Sequence, residues 1–198
     1  MSFLLITTEV RWFFPGEIPD EVHDWFNALG RPEIQPARTD RYLSPTGHGL
    51  GVKLREDRLE VKFRWGRGSS QIFAPGVAGM VENWVKSGFR FPGKFSGWIP
   101  VQKERQILFY QVTSEGEVLP STPGVIPQQG GGVELTQIWL GEDPWWTVGI
   151  EVYGPAGKRK NVLTSIARQV FSGSPPQLQL DGSYSYARLL HKRYTQRR

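Results

Sequence analysis

Charged side chains occupy alternate positions in three strand-like stretches of the chain, and their chemistry points to an anion. The basic residues of these stretches are Lys53, Arg55, Lys62, Arg64, Lys103 and Arg105. A guanidinium group binds phosphate through two parallel hydrogen bonds, and an ammonium group supplies compact positive charge. If they share one face, these six residues are typical of a site that holds a di- or triphosphate.

The alternating pattern allows two arrangements. Side chains on a strand alternate between two faces, so the two stretches on either side of Asp57 each have a charged face and an apolar face with residues such as Val61 and Phe63. In an ordinary antiparallel sheet the charged face lies in water, and the spacing alone favours this commoner arrangement. In a closed barrel covered by helices, the same face lines the interior and forms a cationic tunnel.

Most of the elements that position these residues are predicted as strands. The clearest is a hairpin of Leu50–Glu56 and Arg58–Trp65, which turns near Asp57 and brings Glu60 to the face of the nearby basic residues. Further strands are predicted at Leu4–Phe14, Arg38–Leu43, Trp98–Thr113, Val133–Leu140 and Trp145–Tyr153. Neighbouring strands that pair in this way predict an antiparallel α+β fold.

Helices are predicted where apolar residues recur at helical spacing. These segments are Pro19–Leu29, Val77–Ser87, Lys158–Phe171 and about Ser183–Tyr194. Gly66–Gly76 is predicted as a loop, and the Gly- and Pro-rich segment Glu115–Gly132 as a long mobile connection. The length of 198 residues suits a single domain over 1–198.

Composition narrows the function classes. The net charge of +5 and the pI near 9.6 favour an anionic partner, such as a phosphate compound, nucleic acid or an acidic surface. The absence of cysteine excludes disulfides, thiolate catalysis and cysteine zinc sites, and the three histidines have no metal-ligand spacing. No targeting signal or long apolar run is present, so we expect a cytoplasmic protein without a membrane partner.

Short motifs follow one another in order along nearly the whole chain. They are Glu9-Val-Arg11-Trp-Phe13, Arg41-Tyr42-Leu43, Lys53-Leu-Arg55, Glu60-Val-Lys62, Lys103-Glu-Arg105, the late Glu134 and Glu151, and a terminal Gly-Ser-Tyr-Ser-Tyr. This order resembles the CYTH, or triphosphate tunnel, superfamily, which includes adenylate cyclase and thiamine triphosphatase members. The resemblance implies an antiparallel β-barrel of about eight strands with helices packed outside. It also implies a triphosphate bound inside the barrel by the basic residues.

The resemblance further implies Mg²⁺ or Mn²⁺ held by Glu9, Glu134 and Glu151. The family's opening Glu-x-Glu-x-Lys motif is incomplete, because Arg11 and Phe13 replace its second Glu and its Lys. A guanidinium group cannot ligate a divalent cation and repels it. The three glutamates therefore have two interpretations, a metal site or charge compensation for nearby Lys and Arg, and Arg11 favours compensation.

Three hypotheses follow for function. The first is binding of a triphosphate or polyphosphate compound in a basic tunnel, with metal-dependent hydrolysis left open and no catalytic residue assigned. The second is a non-catalytic polyanion- or nucleic-acid-binding β-protein that uses an open basic face with aromatic residues such as Trp145. The third is an interaction domain in which the charges pair internally. If the strands close into a barrel and the six basic side chains point into its interior, the first hypothesis is favoured.

Overall fold

The fold is mainly strand, in a computed structural model that describes residues 3–44, 47–93, 97–121 and 127–195. The strands are β1 (Phe3–Pro15), β2 (Glu33–Tyr42), β3 (Leu50–Arg55), β4 (Arg58–Ala74), β5 (Val77–Arg90), β6 (Ile99–Val112), β7 (Val118–Pro120), β8 (Gly130–Leu140) and β9 (Asp143–Tyr153). The helices are α1 (Asp20–Ala28), α2 (Arg159–Val170) and α3 (Tyr186–Thr195), with a 3₁₀ turn at Leu180–Gly182 before α3.

Eight of these strands form a closed antiparallel barrel. Their order around the ring is β2-β3-β4-β5-β1-β9-β8-β6, and pairing of β2 with β6 closes it. The short strand β7 pairs with the end of β6 at Tyr110–Val112. Together with the three helices, this architecture confirms the predicted α+β fold with an antiparallel β-barrel.

The main hydrophobic core lies between two helices and one side of the barrel. Helix α1 buries Phe26, and helix α2 buries Leu163 and Ile166, against a cluster that includes Val10 and Trp12 of β1. These β1 residues alternate with Glu9 and Arg11, so the apolar face of the strand points outward to the helices and its charged face points inward. None of the helices in the described ranges is long and apolar enough to cross a membrane.

The helices cover only part of the outer face of the barrel. On the outer face of β4, Phe63 is 41% exposed and Trp65 is 67% exposed, while Leu50 of β3, paired opposite Phe63, is also exposed. The apolar faces predicted for the β3–β4 hairpin thus point outward as expected. Helices α1 and α2 pack over β1, β6, β8 and β9, and also over the far end of β4 at Phe73 and over β5 at Val81, but they leave Phe63 and Trp65 exposed.

Helix α3 closes one end of the barrel. Its residues Leu189 and Leu190 join a second buried cluster with Phe13 of β1 and Val101 of β6. Tyr186, at the start of α3, packs edge-on against Phe13 with ring centroids 4.9 Å apart. The interior of the barrel is therefore plugged at the end where β1 finishes.

The predicted helix over Val77–Ser87 is wrong, because this segment belongs to β5. It pairs with β1 on one side and β4 on the other. Val81, Trp84 and Val85 are all buried although they lie on both faces of the strand. Apolar residues on both faces of a short strand resemble helical spacing.

The predicted loop Gly66–Gly76 is also wrong, because β4 continues through most of it to Ala74. The register of β4 against β5 shifts between Trp65 and Ser69, and Gly66 adopts a φ of 73° there. Glycine permits this backbone irregularity within a strand. In the predicted mobile connection, Val118–Pro120 forms β7 and Gly130–Gly132 begins β8, while 122–126 lie outside the described residues.

Candidate functional site

The barrel interior contains a cavity of about 390 Å³. Ser185, Tyr186 and Ala187 line it at the end closed by α3, and partly exposed Leu5 and Phe109 line it at the opposite end. Its charged lining consists of eight basic side chains and four glutamates: Arg11, Arg38, Lys53, Arg55, Lys62, Lys86, Lys103, Arg105, Glu9, Glu60, Glu134 and Glu151. This volume lies within the range of small-molecule sites.

The structure brings five of the six predicted phosphate-binding residues to this cavity. They are Lys53, Arg55, Lys62, Lys103 and Arg105. The sixth, Arg64, does not line the cavity, and its Nη1 lies 2.9 Å from Oε1 of Glu82. The charged faces of β3, β4 and β6 thus point into the barrel, because strand closure turns the face opposite the apolar one inward.

Asp40 of β2 lies at the centre of the strongest cluster of positive charge. Its carboxylate is fully buried and is 3.4 Å from Nε of Arg38, 3.5 Å from Nζ of Lys53, 3.0 Å from Nε of Arg55 and 3.0 Å from Nζ of Lys103. Burial opposes its charge, but Lys103, Lys53 and Arg55 together hold the pKa of Asp40 well below its usual value. A single carboxylate therefore forms ion pairs with four basic side chains.

The cations around Asp40 repel one another. Burial, together with the charge of Arg55, lowers the pKa of Lys53 to about 8 although Asp40 opposes the shift. Burial, together with the charge of Lys53, lowers the pKa of Lys103 well below its ordinary value. The pKa of Arg38 is lowered by burial and by the guanidinium groups of Arg105 and Arg55. This part of the cavity is therefore short of negative charge.

Glu60 of β4 compensates the cations on the other side of the cluster. Its carboxylate is 3.0 Å from Nζ of Lys53, 3.3 Å from Nζ of Lys86 and 3.7 Å from Nη1 of Arg55. Burial opposes ionisation of Glu60, but these three cations lower its pKa to about 2. Glu60 therefore supplies negative charge to the basic residues with which the hairpin pattern places it on one face.

Arg11 and Glu134 form a buried ion pair, at 3.1 Å between Nη2 and Oε2. Nη1 of Arg105 lies 3.3 Å from Oε1 of the same carboxylate. Against the effect of burial, Arg11 and Arg105 lower the pKa of Glu134 to about 2. Arg11 therefore pairs with Glu134, a carboxylate that the resemblance assigned to a metal.

Glu9 and Glu151 stand directly opposite each other on β1 and β9. Lys62 donates a hydrogen bond to Glu9, and its Nζ is 3.7 Å from Oε1 of Glu151. Burial and the charge of Glu151 raise the pKa of Glu9, although Lys62 opposes the shift. Within 3–44, 47–93, 97–121 and 127–195, no group of three or more His, Asp or Glu side chains is arranged to hold a metal ion.

We expect the barrel to lose stability in acid because of Glu60 and Glu134. The pKa of each is about 2 in the folded state, whereas an unfolded glutamate titrates near 4.3. Their contribution to stability is therefore complete above the unfolded value and is lost as the pH falls from about 4.3 towards 2. Urea titrations at pH 7, 5 and 2.5 should show a clear fall in the midpoint only below pH 5. An equal midpoint at pH 5 and 2.5 would contradict this assignment.

Three charged residues in or directly behind the cavity wall were missed by sequence reasoning. Arg38, Asp40 and Tyr42 occupy alternate positions of β2 and therefore lie on one face. The predicted strand began at Arg38, so this alternation was already visible in the sequence. Lys86 follows the same alternation in β5, where a helix was predicted instead. Extending the test for alternation to every strand-length segment would have found all three.

No protein-family profile matches the chain, and no curated protein matches its sequence at a significant level. The resemblance to the triphosphate tunnel superfamily accordingly stays a prediction.

Proposed function

We propose that this protein binds a small anion with two or three linked phosphates in the barrel cavity. The observation that carries the proposal is the fully buried Asp40, which has four cations within 3.5 Å. One carboxylate cannot neutralise four cations, and Glu60 is shared among Lys53, Arg55 and also Lys86. A bound phosphate chain would supply the missing negative charge.

A buried donor without a partner supports the same proposal. Nε of Arg105 is buried and donates no hydrogen bond to any described residue. Buried polar groups in native proteins nearly always have a partner, so such a donor in a cavity points to a ligand or water. Because Arg105 lies on the cavity wall near the Asp40 cluster, a phosphate oxygen is a suitable acceptor.

Replacement of Arg55 by Gln tests the proposal. Arg55 donates from Nε to Asp40 and lines the cavity. Charged hydrogen bonds contribute about 1.5–3 kcal/mol, so the variant should bind inorganic tripolyphosphate about tenfold to a hundredfold more weakly. Isothermal titration calorimetry at low salt measures this change.

Arg90→Gln is the matched control for this experiment. Arg90 also donates from Nε to an aspartate, Asp57, at 2.8 Å, but the pair is exposed on the surface. The control should bind tripolyphosphate as the unchanged protein does. Equal losses in both variants would indicate non-specific attraction by the net charge, and tighter binding of a single-stranded oligonucleotide than of tripolyphosphate would overturn the proposal.

Metal-dependent hydrolysis is a second candidate, supported by the facing carboxylates of Glu9 and Glu151. The three-glutamate site implied by the resemblance does not fit these residues well, because Arg11 and Arg105 occupy Glu134. We therefore propose binding without a requirement for Mg²⁺ or Mn²⁺. Release of inorganic phosphate from tripolyphosphate only when one of these ions is added would establish the hydrolase instead.

A further inference from the structure

The open end of the cavity is apolar on one side. Leu5 of β1, Ile107 and Phe109 of β6, and Tyr153 of β9 line it there. Their strands, together with β8, form one continuous half of the barrel wall. On the opposite half, the lining near the same end is charged and includes Lys86 of β5, which pairs directly opposite Leu5. The open end of the cavity, called the mouth below, can therefore contact both an apolar group and a charged group of the same ligand.

These apolar residues occupy positions that should be polar if the cavity bound only phosphate. Leu5 is 39% exposed and Phe109 is 40% exposed, although both lie on the inward face of their strands. Each continues the alternation of a charged series, Leu5 before Glu9 and Phe109 after Arg105. Large apolar side chains that remain partly exposed in a concave site mark a surface that contacts an apolar group.

Gly132 of β8 keeps this side of the mouth open. It is paired directly opposite Phe109. A Cβ atom at Gly132 would lie 3.2 Å from Cγ2 of Ile107 and 3.6 Å from Cε1 of Phe109, so any side chain there would fill the space beside them. The glycine leaves a shallow apolar recess next to the charged interior.

We propose that the ligand is a phosphate ester of a hydrophobic alcohol. Its phosphates lie among the cations around Asp40, and its hydrocarbon part lies against Leu5, Ile107, Phe109 and Tyr153. This inference rests on the proposed function, since it identifies the class of anion that the same cavity takes. Apolar contact contributes in proportion to the area removed from water, so the hydrocarbon adds affinity that an inorganic phosphate chain lacks.

Paired ligands separate the two parts of this site. We expect geranyl diphosphate to bind about tenfold more tightly than inorganic pyrophosphate, a difference that one apolar contact surface readily supplies. Adenosine triphosphate is compared with inorganic tripolyphosphate in the same way, because a nucleoside tests for a polar organic group. A larger gain for the nucleotide than for the geranyl ester would overturn the choice of a hydrophobic alcohol.

Phe109→Ser provides the residue-level test. The variant should lose most of the advantage of geranyl diphosphate while its affinity for pyrophosphate stays the same. Phe63→Ser is a matched control, because Phe63 has nearly the same exposure but lies on the outer face of β4. Leu5→Ser is a second variant that should reproduce the effect if Phe109→Ser folds poorly.

The outcomes distinguish this inference from the function on which it rests. Equal affinities for geranyl diphosphate and pyrophosphate, or an equal loss of both in Phe109→Ser and Leu5→Ser, would overturn the hydrophobic ester alone. Absence of binding for pyrophosphate, tripolyphosphate and both organic compounds at low salt would overturn anion binding in the cavity as well.

Discussion

Replacing Asp40 by Asn is expected to lower the free energy of unfolding by about 3–5 kcal/mol, the usual effect of removing one partner from a buried ion pair. Four cations, Arg38, Lys53, Arg55 and Lys103, lie within 3.5 Å of this carboxylate. Asparagine has nearly the same shape but no charge, so the cations would repel one another without their central anion. Urea unfolding followed by tryptophan fluorescence measures the loss.

The same variant also tests whether the cavity takes an anion. Tripolyphosphate would replace the lost negative charge, so it should raise the Tm of Asp40→Asn more than that of the unchanged protein. Asp57→Asn is the control, because Asp57 forms an exposed pair with Arg90 and such pairs contribute only about 0–1 kcal/mol. A loss below about 1 kcal/mol in Asp40→Asn would contradict the central role of this carboxylate.

Binding of tripolyphosphate should weaken as the pH rises above about 8, because of Lys53. Burial and Arg55 hold the pKa of Lys53 at about 8 in the ligand-free protein, and a bound anion would raise it. Lys53 is therefore charged in both states below pH 8, whereas above it the free protein must take up a proton to bind. We expect the affinity to fall about tenfold per pH unit between pH 8.5 and the pKa of the complex.

Calorimetry at pH 7, 8, 9 and 10 checks this dependence, and the heats measured in buffers of different ionisation enthalpy report the proton uptake. Lys53→Met should bind more weakly at pH 7 and lose most of the decline above pH 8. If the decline is unchanged in Lys53→Met, another group causes it. Lys103, whose pKa is also lowered by burial, is then the next residue to replace.

Local patterns predicted several strands and two helices well. Predicted strand Leu4–Phe14 corresponds to β1 (Phe3–Pro15), and predicted helix Lys158–Phe171 corresponds to α2 (Arg159–Val170). Each has one clear period, the alternation of Glu9 and Arg11 with Val10 and Trp12 in β1 and one apolar stripe in α2, so local and tertiary preferences agree. The β5 segment failed because it carries apolar residues on both faces, Trp84 on one and Val81 and Val85 on the other, and a local pattern cannot distinguish such a strand from a helix.

The candidate site could be predicted only in part. Lys53, Arg55, Lys62, Lys103 and Arg105 were found because each lies in a strand with basic residues at alternate positions. Arg64 obeys the same alternation but lies beyond the cavity, in an ion pair with Glu82. Alternation specifies the face of a residue, whereas its depth along the barrel depends on how neighbouring strands are staggered.

Which residues share a face follows from the order of residues along each strand, because a strand places alternate side chains on opposite sides whatever its surroundings. Which of the two faces is the inner one depends on contacts between distant strands. The charged face becomes the inner one through the pairing of β2 with β6, which joins Glu33–Tyr42 to Ile99–Ile107 and closes the ring. Closure likewise brings Asp40 of β2 between Lys53 of β3 and Lys103 of β6. Charged residues from separate strands therefore form one cluster only after these long-range contacts are made.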